Sequence, residues 1–354
     1  MFNNIITSKT PVELGYRMPA EWEPHDAIWL SWPHDPLTFP NCVDGVEATY
    51  VEIIKEIHTS ENVNLFVKSK SMQQKVTALL HAVDVDFAKI RFFVFDYADV
   101  WFRDYGPTFI VNGRQELAMV NWVFNAWGDK YDTLLKDKVI PQVVNQFLGV
   151  PCFRPSLVME GGSFDVNGRG SLLTTMQCLL NSNRNPNLSW QVIEDYLKSH
   201  LGVSHFIWLK NGINGDDTDG HVDDIARFVG PRTVVCAYQD DVGDGNFDAL
   251  RVNYEILVSA RDQDGEFLDV VKLPMPGDVV DGEGCLLPAS YTNFYVGNTK
   301  VLVPVFGHEN DVVALGILQG LFPDRKVVGI NCVDLVNGYG AIHCVSQQQP
   351  RSGV

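Results

Sequence analysis

The sequence predicts an α/β fold organised as a single domain over residues 1–354. Three observations carry this. Strand-type and helix-type runs alternate almost throughout; no Pro/Ser/Gly-rich linker divides the chain; and the alternation partitions into roughly five units of two or three strands plus a helix.

Taken in order, residues 46–58 place Tyr50, Ile53, Ile54 and Ile57 at helical spacing, and 62–67 (NVNLFV) follows as a short β-type run. Residues 72–83 read as helix and 90–95 (IRFFVF) as strand. Further strands are predicted at 109–111 and 117–124. A helix at 131–147 carries Pro141 as a kink or break. Helices follow at 189–201, where Ser189 is the N-cap after the Pro186 turn, at 247–261 and at 310–321. Strands follow these helices at 206–209, 270–273 and 326–330. No exact sequence repeat accompanies the five units.

Composition narrows the function. Hydrophobic residues make up 45% and charged residues 20%, an ordinary globular balance that excludes a disordered or collagen-like chain. Lys plus Arg is 27 against 44 for Asp plus Glu, a formal charge of −17. That balance argues against nucleic acid, whose phosphates need Lys and Arg. It is compatible with a small cationic substrate, and equally with simple solubility. The Cys count is 7, the spacing is scattered and no CxxC pair occurs, so neither a structural zinc site nor a disulfide framework is predicted. Residues 1–24 hold no apolar leader core, and no apolar run approaches the ~20 residues of a membrane span. The expectation is a soluble, cytoplasmic protein without a membrane partner, its oligomeric state left open. Neither GxGxxG nor GxxxxGK[ST] occurs, so a nucleotide cofactor lacks its usual signal.

Polar residues gather in five places. DVWFRDYGP (99–107) sets Arg103 and Asp104 after an apolar run, as at the mouth of a site or as a surface ion pair before a turn. MEGG (159–162) sets Glu160 before two glycines that allow close backbone passage, or marks a turn with an exposed Glu. GDDTDGHVDD (215–224) crowds carboxylates around His221. It is not a calcium loop: Gly220 at loop position six would put Gly215 and Ala226 where acids are required. If 221–224 is extended, His221 and Asp223 share one face, and a His beside a carboxylate is a poised acid/base. The alternative is a solvated acidic loop. In NGYGAIHCVSQQQP (337–350), an extended strand would turn His343 and Cys344 to opposite faces. Cys344 is then a candidate nucleophile whose base comes from elsewhere, or a buried inert Cys like most of the others. Last, NWVFNAWGDKY (121–131) offers Trp122 and Trp127 as pocket walls or as core.

In this order the segments resemble the agmatine deiminase family. The resemblance begins at MPAEWEPH (18–25), runs through WFRDYGP, NAWGDKY, EGG, LLNSNRNP (179–186) and DDTDGHVDD, and ends in GAIHCVSQQQP. Wider relatives are arginine deiminases, peptidylarginine deiminases and amidinotransferases. The resemblance implies a pentein fold: five ββαβ-type units in a pseudosymmetric propeller, with a central active site. It implies Cys344 as nucleophile, His221 as acid/base, Asp104 and Asp223 as the guanidinium clamp, Glu160 as the residue orienting His221, and Asp217 as a further substrate contact. Two departures stand out. The chain reads GYGAIHC where many members read GGGNIHC, so Tyr339 adds bulk and Ala341 loses an amide. It reads SFDVNG after EGG where relatives often have NIHVDG.

Such a set supports a definite reaction. Two carboxylates hold the planar guanidinium by charge-assisted hydrogen bonds. The Cys344 thiolate attacks its carbon, His221 protonates the departing nitrogen and ammonia leaves, and water then hydrolyses the thiouronium on Cys344 to a ureido group. No metal or organic cofactor is required. The expected activity is agmatine to N-carbamoylputrescine plus ammonia, within putrescine and polyamine synthesis. Trp127 and Asp217 are candidates for the distal amine. The carboxylates should raise the pKa of Cys344 above the ordinary ~8.5, so activation depends partly on the cationic substrate. Alternatives are a peptidylarginine deiminase, an amidinotransferase using the same Cys adduct, and a binding protein of the same fold without catalysis.

Overall fold

The computed structural model describes residues 9–353; the first eight residues, part of the segment inspected for a leader, lie outside the described residues. Among the described residues the strands form five small sheets. One local rule builds all of them. Two strands pair antiparallel, and the chain then crosses over through a helix to a strand that pairs parallel with the second.

Thr108–Asn112 and Leu117–Val120 are antiparallel, and Cys152–Phe153 returns parallel after the helix Ile140–Leu148. Phe164–Val166, Ser171–Thr175 and His205–Leu209 repeat this around the helix Trp190–Leu201. Ala226–Phe228, Thr233–Tyr238 and Asp269–Pro274 do so around Phe247–Ser259. Tyr295–Val296, Lys300–Val305 and Lys326–Asn331 do so around Asn310–Leu321. The fifth sheet joins the chain ends: Gln347–Pro350 lies antiparallel to His25–Ser31, which continues in parallel to Asn62–Val67 and Ile90–Val94. Its helices Val43–Ile57 and Lys70–His81 are the two crossovers. This is the pentein arrangement.

Periodicity explains where the helices stand. Val43–Ile57 buries Val46, Tyr50, Ile53, Ile54 and Ile57 along one stripe. The segment read as one helix over 131–147 is two pieces, a 3₁₀ stretch Asp132–Val139 and the helix Ile140–Leu148. Pro141 sits in the first turn, where its missing N–H leaves no bond unmade. The strand predicted at 117–124 ends at Val120, and beyond it only an isolated parallel bridge, Val123 to Val158, continues the pairing. Among the described residues ten strands were not predicted. The longest, His25–Ser31, Ser171–Thr175, Thr233–Tyr238 and Lys300–Val305, are largely buried on both faces, so they lack the alternation that marks a half-exposed strand. No described helix is long and apolar enough to cross a membrane.

Ser69 caps Lys70–His81, its hydroxyl accepting from the Met72 N–H at 3.1 Å. Ser69→Ala is expected to cost about 1 kcal/mol, seen as a lower denaturant midpoint at unchanged slope, with turnover unaffected.

Candidate active site

The repeat brings the polar segments together. In every unit the residues just before the first strand point to one place. Asp104 precedes Thr108–Asn112, Glu160 precedes Phe164–Val166, Asp223 precedes Ala226–Phe228, Asn293 precedes Tyr295–Val296, and Cys344 precedes Gln347–Pro350.

Asp104 lies on the single-turn helix Phe102–Tyr105, whose Phe102 packs against Trp29 and Phe66. Its carboxylate accepts from Trp127 Nε1 and from the Gly162 N–H, both at 2.9 Å. Arg103 lies on the same helix and is buried, so of the two readings of this segment the surface ion pair before a turn does not hold. Its N–H bonds the Cys344 carbonyl at 3.1 Å and its guanidinium reaches Gln348 Oε1 at 2.7 Å, so it ties the Asp104 turn to the Cys344 turn.

Glu160 is fully buried, which excludes an exposed turn residue. One oxygen accepts from Arg184 Nε at 2.7 Å, and the other lies 3.7 Å from His221 Nε2. The glycines after it are sterically required. A Cβ on Gly161 would sit 2.2 Å from the Arg103 carbonyl; one on Gly162 would sit 2.6 Å from His221 Nδ1, 2.9 Å from Asp104 Oδ1 and 3.1 Å from Asp223 Oδ2.

The acidic segment differs from its expected form. Residues 222–224 make a 3₁₀ turn rather than a strand, and His221 and Asp223 are buried rather than solvated. The turn hands Asp223 to a different partner. Its Oδ2 lies 2.6 Å from His343 Nδ1 and 3.7 Å from Cys344 Sγ. His221 instead faces Asp104, 3.8 Å from Nδ1, and Glu160. Likewise 342–345 is a turn, the strand beginning only at Gln347. Four buried polar atoms here have no hydrogen-bond partner: Glu160 Oε2, both His221 ring nitrogens and Asp223 Oδ1.

Asn293 was not anticipated. Its amide N–H₂ donates to Cys344 Sγ at 3.0 Å and to Asp224 Oδ1 at 2.9 Å, while its oxygen accepts from the His343 and Cys344 N–H groups. The signal that finds it is its place in the repeat, since YTNFYV alone reads as core. Arg184 and Glu21 were within quoted motifs but had no assigned role.

A cavity of about 280 Å³ leads to Cys344, with Asp104, Trp101, Trp127, Tyr131, Asp217 and Tyr339 on its walls. Of the two tryptophans considered, Trp127 lines it and Trp122 packs in the core, bonded to Thr108. Asp217 accepts from the Tyr131 hydroxyl at 2.6 Å. Tyr339 holds φ +70°, a left-handed conformation that favours glycine. It is flanked by Gly338 and Gly340, whose closeness to Trp101 leaves no room for a Cβ.

Electrostatics are severe. Burial, then Asp223, Asp224 and Asp104, push the Cys344 thiol well above its ordinary range. Burial would lower His221, but Asp104, Cys178 and Glu160 outweigh it and hold the imidazole well above its usual value. Burial pushes Asp104 up to about 6. Burial and then Asp223 drive Asp224 well upward. Before substrate arrives the site therefore holds a thiol and an imidazolium. Two trios bring ligand-type atoms within 4.8 Å of one another, Glu160–Cys178–His221 and Asp223–Asp224–Cys344. That spacing would suit a soft cation, and both trios share their atoms with the guanidinium-type site. Of the other cysteines only Cys178, Cys236 and Cys332 are buried.

A family model of the Porphyromonas-type peptidyl-arginine deiminases matches residues 17–350. The chain belongs to this family. It is 37% identical to the agmatine deiminase of Ectopseudomonas mendocina over 96% of this chain and 97% of that one. Among solved structures, the agmatine deiminase of Enterococcus faecalis, described as catalysing its reaction, superposes with a TM-score of 0.91 at 36% identity, covering 98% of this chain and 99% of that one. A Cys-to-Ser variant of the C. jejuni agmatine deiminase with substrate bound gives 0.86 at 29% identity, covering 95% and 97%.

Two outcomes follow from this geometry. Gly162→Ala should leave the fold intact but lower kcat/KM by about 100-fold or more, as expected for displacing groups by an ångström; circular dichroism and steady-state rates check it. Neutral iodoacetamide should label Cys344 slowly at pH 7, the rate climbing only beyond the ordinary thiol value of about 8.5. Peptide mass spectrometry reads this, with exposed Cys285 as internal reference.

Proposed function

We propose that this chain is an agmatine deiminase, hydrolysing agmatine to N-carbamoylputrescine and ammonia, with residues 1–354 as one catalytic domain. The observation that carries the reading is a thiol and a carboxylate, Cys344 and Asp104, on the wall of one cavity, with a second carboxylate and a histidine, Asp223 and His221, packed directly against them. Asp104 and Asp223 take the guanidinium N–H groups and set its carbon against Cys344 Sγ. The arriving cation offsets the carboxylates, so the thiol gives up its proton to water entering through the cavity. The sulfur bonds to the guanidinium carbon; the C–N bond to one terminal nitrogen breaks; His221, as imidazolium, supplies the proton with which that nitrogen departs as ammonia. His221, now neutral, takes a proton from water as the oxygen adds to the thiouronium carbon. The C–S bond then breaks as the added hydroxyl passes its proton to the departing sulfur, leaving a ureido group, the Cys344 thiol and the His221 imidazolium. Glu160, held by Arg184, orients His221 and stabilises its charge. Asn293 donates to the sulfur throughout. The chemistry uses no metal or organic cofactor.

The cavity supports agmatine over arginine. No Lys or Arg is among the described residues that line it. Nearby Lys130 is engaged by Asp219 at 2.9 Å and by the Asp217 carbonyl. Arginine's carboxylate would meet Asp217 with no basic partner, whereas agmatine's amine meets Asp217 and the faces of Trp127, Tyr131 and Tyr339. A product feeding putrescine and polyamine synthesis, and a cytoplasmic setting, fit this reading.

The test is a panel of agmatine, free arginine and a blocked arginine peptide, scored for ammonia and ureido product without an added amine acceptor. Agmatine is expected to lead arginine in kcat/KM by at least about tenfold, which needs only about 1.4 kcal/mol. Equal use of arginine would sink the assignment. Preference for the blocked peptide would make peptidyl-arginine the substrate, and a requirement for an amine acceptor would make the enzyme a transferase.

A further inference from the structure

The IHC segment contains a histidine that the proposed chemistry leaves unused. His343 is buried, and both of its ring nitrogens are engaged. Nδ1 lies 2.6 Å from Asp223 Oδ2 and Nε2 lies 3.0 Å from Glu21 Oε2. An ionised carboxylate oxygen only accepts, so a ring placed between two of them needs an N–H on each nitrogen. Neither neutral tautomer provides that; the imidazolium does.

Glu21 has no proton to lend. Its Oε2 also accepts from Arg227 at 2.6 Å and its Oε1 from the Val296 N–H at 2.7 Å. Burial opposes its ionisation, but Arg227, His343 and Arg103 outweigh burial and hold it well below the usual carboxylate range. The surrounding charges agree. Anions Glu21, Asp223 and Asp165 face the ring together with the cations Arg103 and Arg227. On the ring's own side three carboxylates thus outnumber two guanidiniums, a setting that favours a charged ring over a neutral one. On the pocket side of Asp223 stand His221, Asp224 and Cys344.

We propose that His343 is a positioning residue held as an imidazolium between Glu21 and Asp223, and that this Glu21–His343–Asp223 line keeps Asp223 ionised with Oδ1 free for the guanidinium. His343 touches neither the substrate nor the sulfur. It acts through Asp223, which would otherwise be buried beside Asp224 and the thiol with little to hold its charge. The line also gives the N-terminal MPAEWEPH segment a task, because Glu21 reaches Asp223 through His343. Its kinetic consequence rests on the agmatine reading above; its protonation state does not.

The experiment has two arms. In ¹⁵N-histidine-labelled wild-type enzyme without substrate, the His343 ring is expected to show two protonated nitrogens at about pH 7.5, where an unperturbed histidine is mostly neutral. Its signals are assigned by their loss in His343→Gln, or by their shift in Glu21→Gln should the first variant fail to fold. A neutral tautomer at that pH would overturn the proposal. In the second arm, kcat/KM for agmatine is followed against pH. Removing the ring charge lets Asp223 take up a proton at neutral pH and lose it again as pH rises. His343→Gln should therefore lose at least about tenfold at pH 7, mostly through KM, and regain most of it by about pH 9. A loss equal at every pH would reduce His343 to packing and overturn the proposal. Should wild-type enzyme not turn over agmatine, the substrate reading falls, and the resonance result still decides the state of His343.

Discussion

Too many negative charges crowd one dry place, and the rest of the site exists to hold them there. Asp104, Glu160, Asp223 and Asp224 surround a thiol with almost no access to water. Each carboxylate costs several kcal/mol to bury unless it is paired or protonated. The structure deals with them one at a time. Arg184 takes Glu160, His343 takes one oxygen of Asp223, Trp127 and Gly162 donate to Asp104, and Asn293 donates to Asp224. What stays unpartnered is one oxygen on Glu160, one on Asp223 and both nitrogens of His221. The two nitrogens of His221 face Asp104 and Glu160; the acceptor left open beside the thiol is Asp223 Oδ1, which calls for a group bringing N–H donors and a positive charge, as a guanidinium does.

Such a cluster needs rigid delivery, and the fivefold repetition provides it. Every functional turn is short and is followed at once by a sheet strand, so a displacement at the site would have to move a sheet. The turns are also tied to one another. Arg103 bonds the backbone carbonyls of His343 and Cys344, and Asn293 bonds their N–H groups. The two glycines after Glu160 let the second unit press against the first and third. The helix-to-sheet packing visible at Tyr50, Ile53 and Ile57 thus serves a site to which those residues contribute nothing directly.

How much of this the sequence revealed depends on how local the cause is. Asn62–Val67 and Asn310–Leu321 were read at their observed bounds, because apolar spacing within the segment dictates them. Thr233–Tyr238 and Lys300–Val305 were missed, because burial on both faces erases the period. Asp104, Glu160, His221, Asp223 and Cys344 do lie together, yet the extended backbone assumed at 221–224 and 342–345 was wrong. Alternation rules describe strands, and these residues lie on the turns before strands. The error mattered chemically: it paired His221 with Asp223, whereas the 3₁₀ turn gives Asp223 to His343. Asn293 and Glu21 stayed silent because their roles arise only from contacts across the whole chain, such as the one joining Glu21 to His343.

The same charge arithmetic gives the reaction a direction. Burial and the neighbouring carboxylates Asp223, Asp224 and Asp104 hold the Cys344 thiol well above its ordinary range, so on the proposed reading the free site suppresses its own nucleophile. In the proposed reaction a guanidinium between Asp104 and Asp223 removes that suppression beside the sulfur, whereas a neutral molecule entering the cavity meets a protonated thiol. Charge is thus read twice, once in binding and once in activation. The ureido product is neutral. When it forms, the carboxylates regain their mutual repulsion with no cation between them, and Asp224 and Asp104, both pushed upward by burial, are the groups that relax by taking up a proton. Binding energy gained from the substrate's charge is therefore withdrawn from the product, which favours its release over its retention.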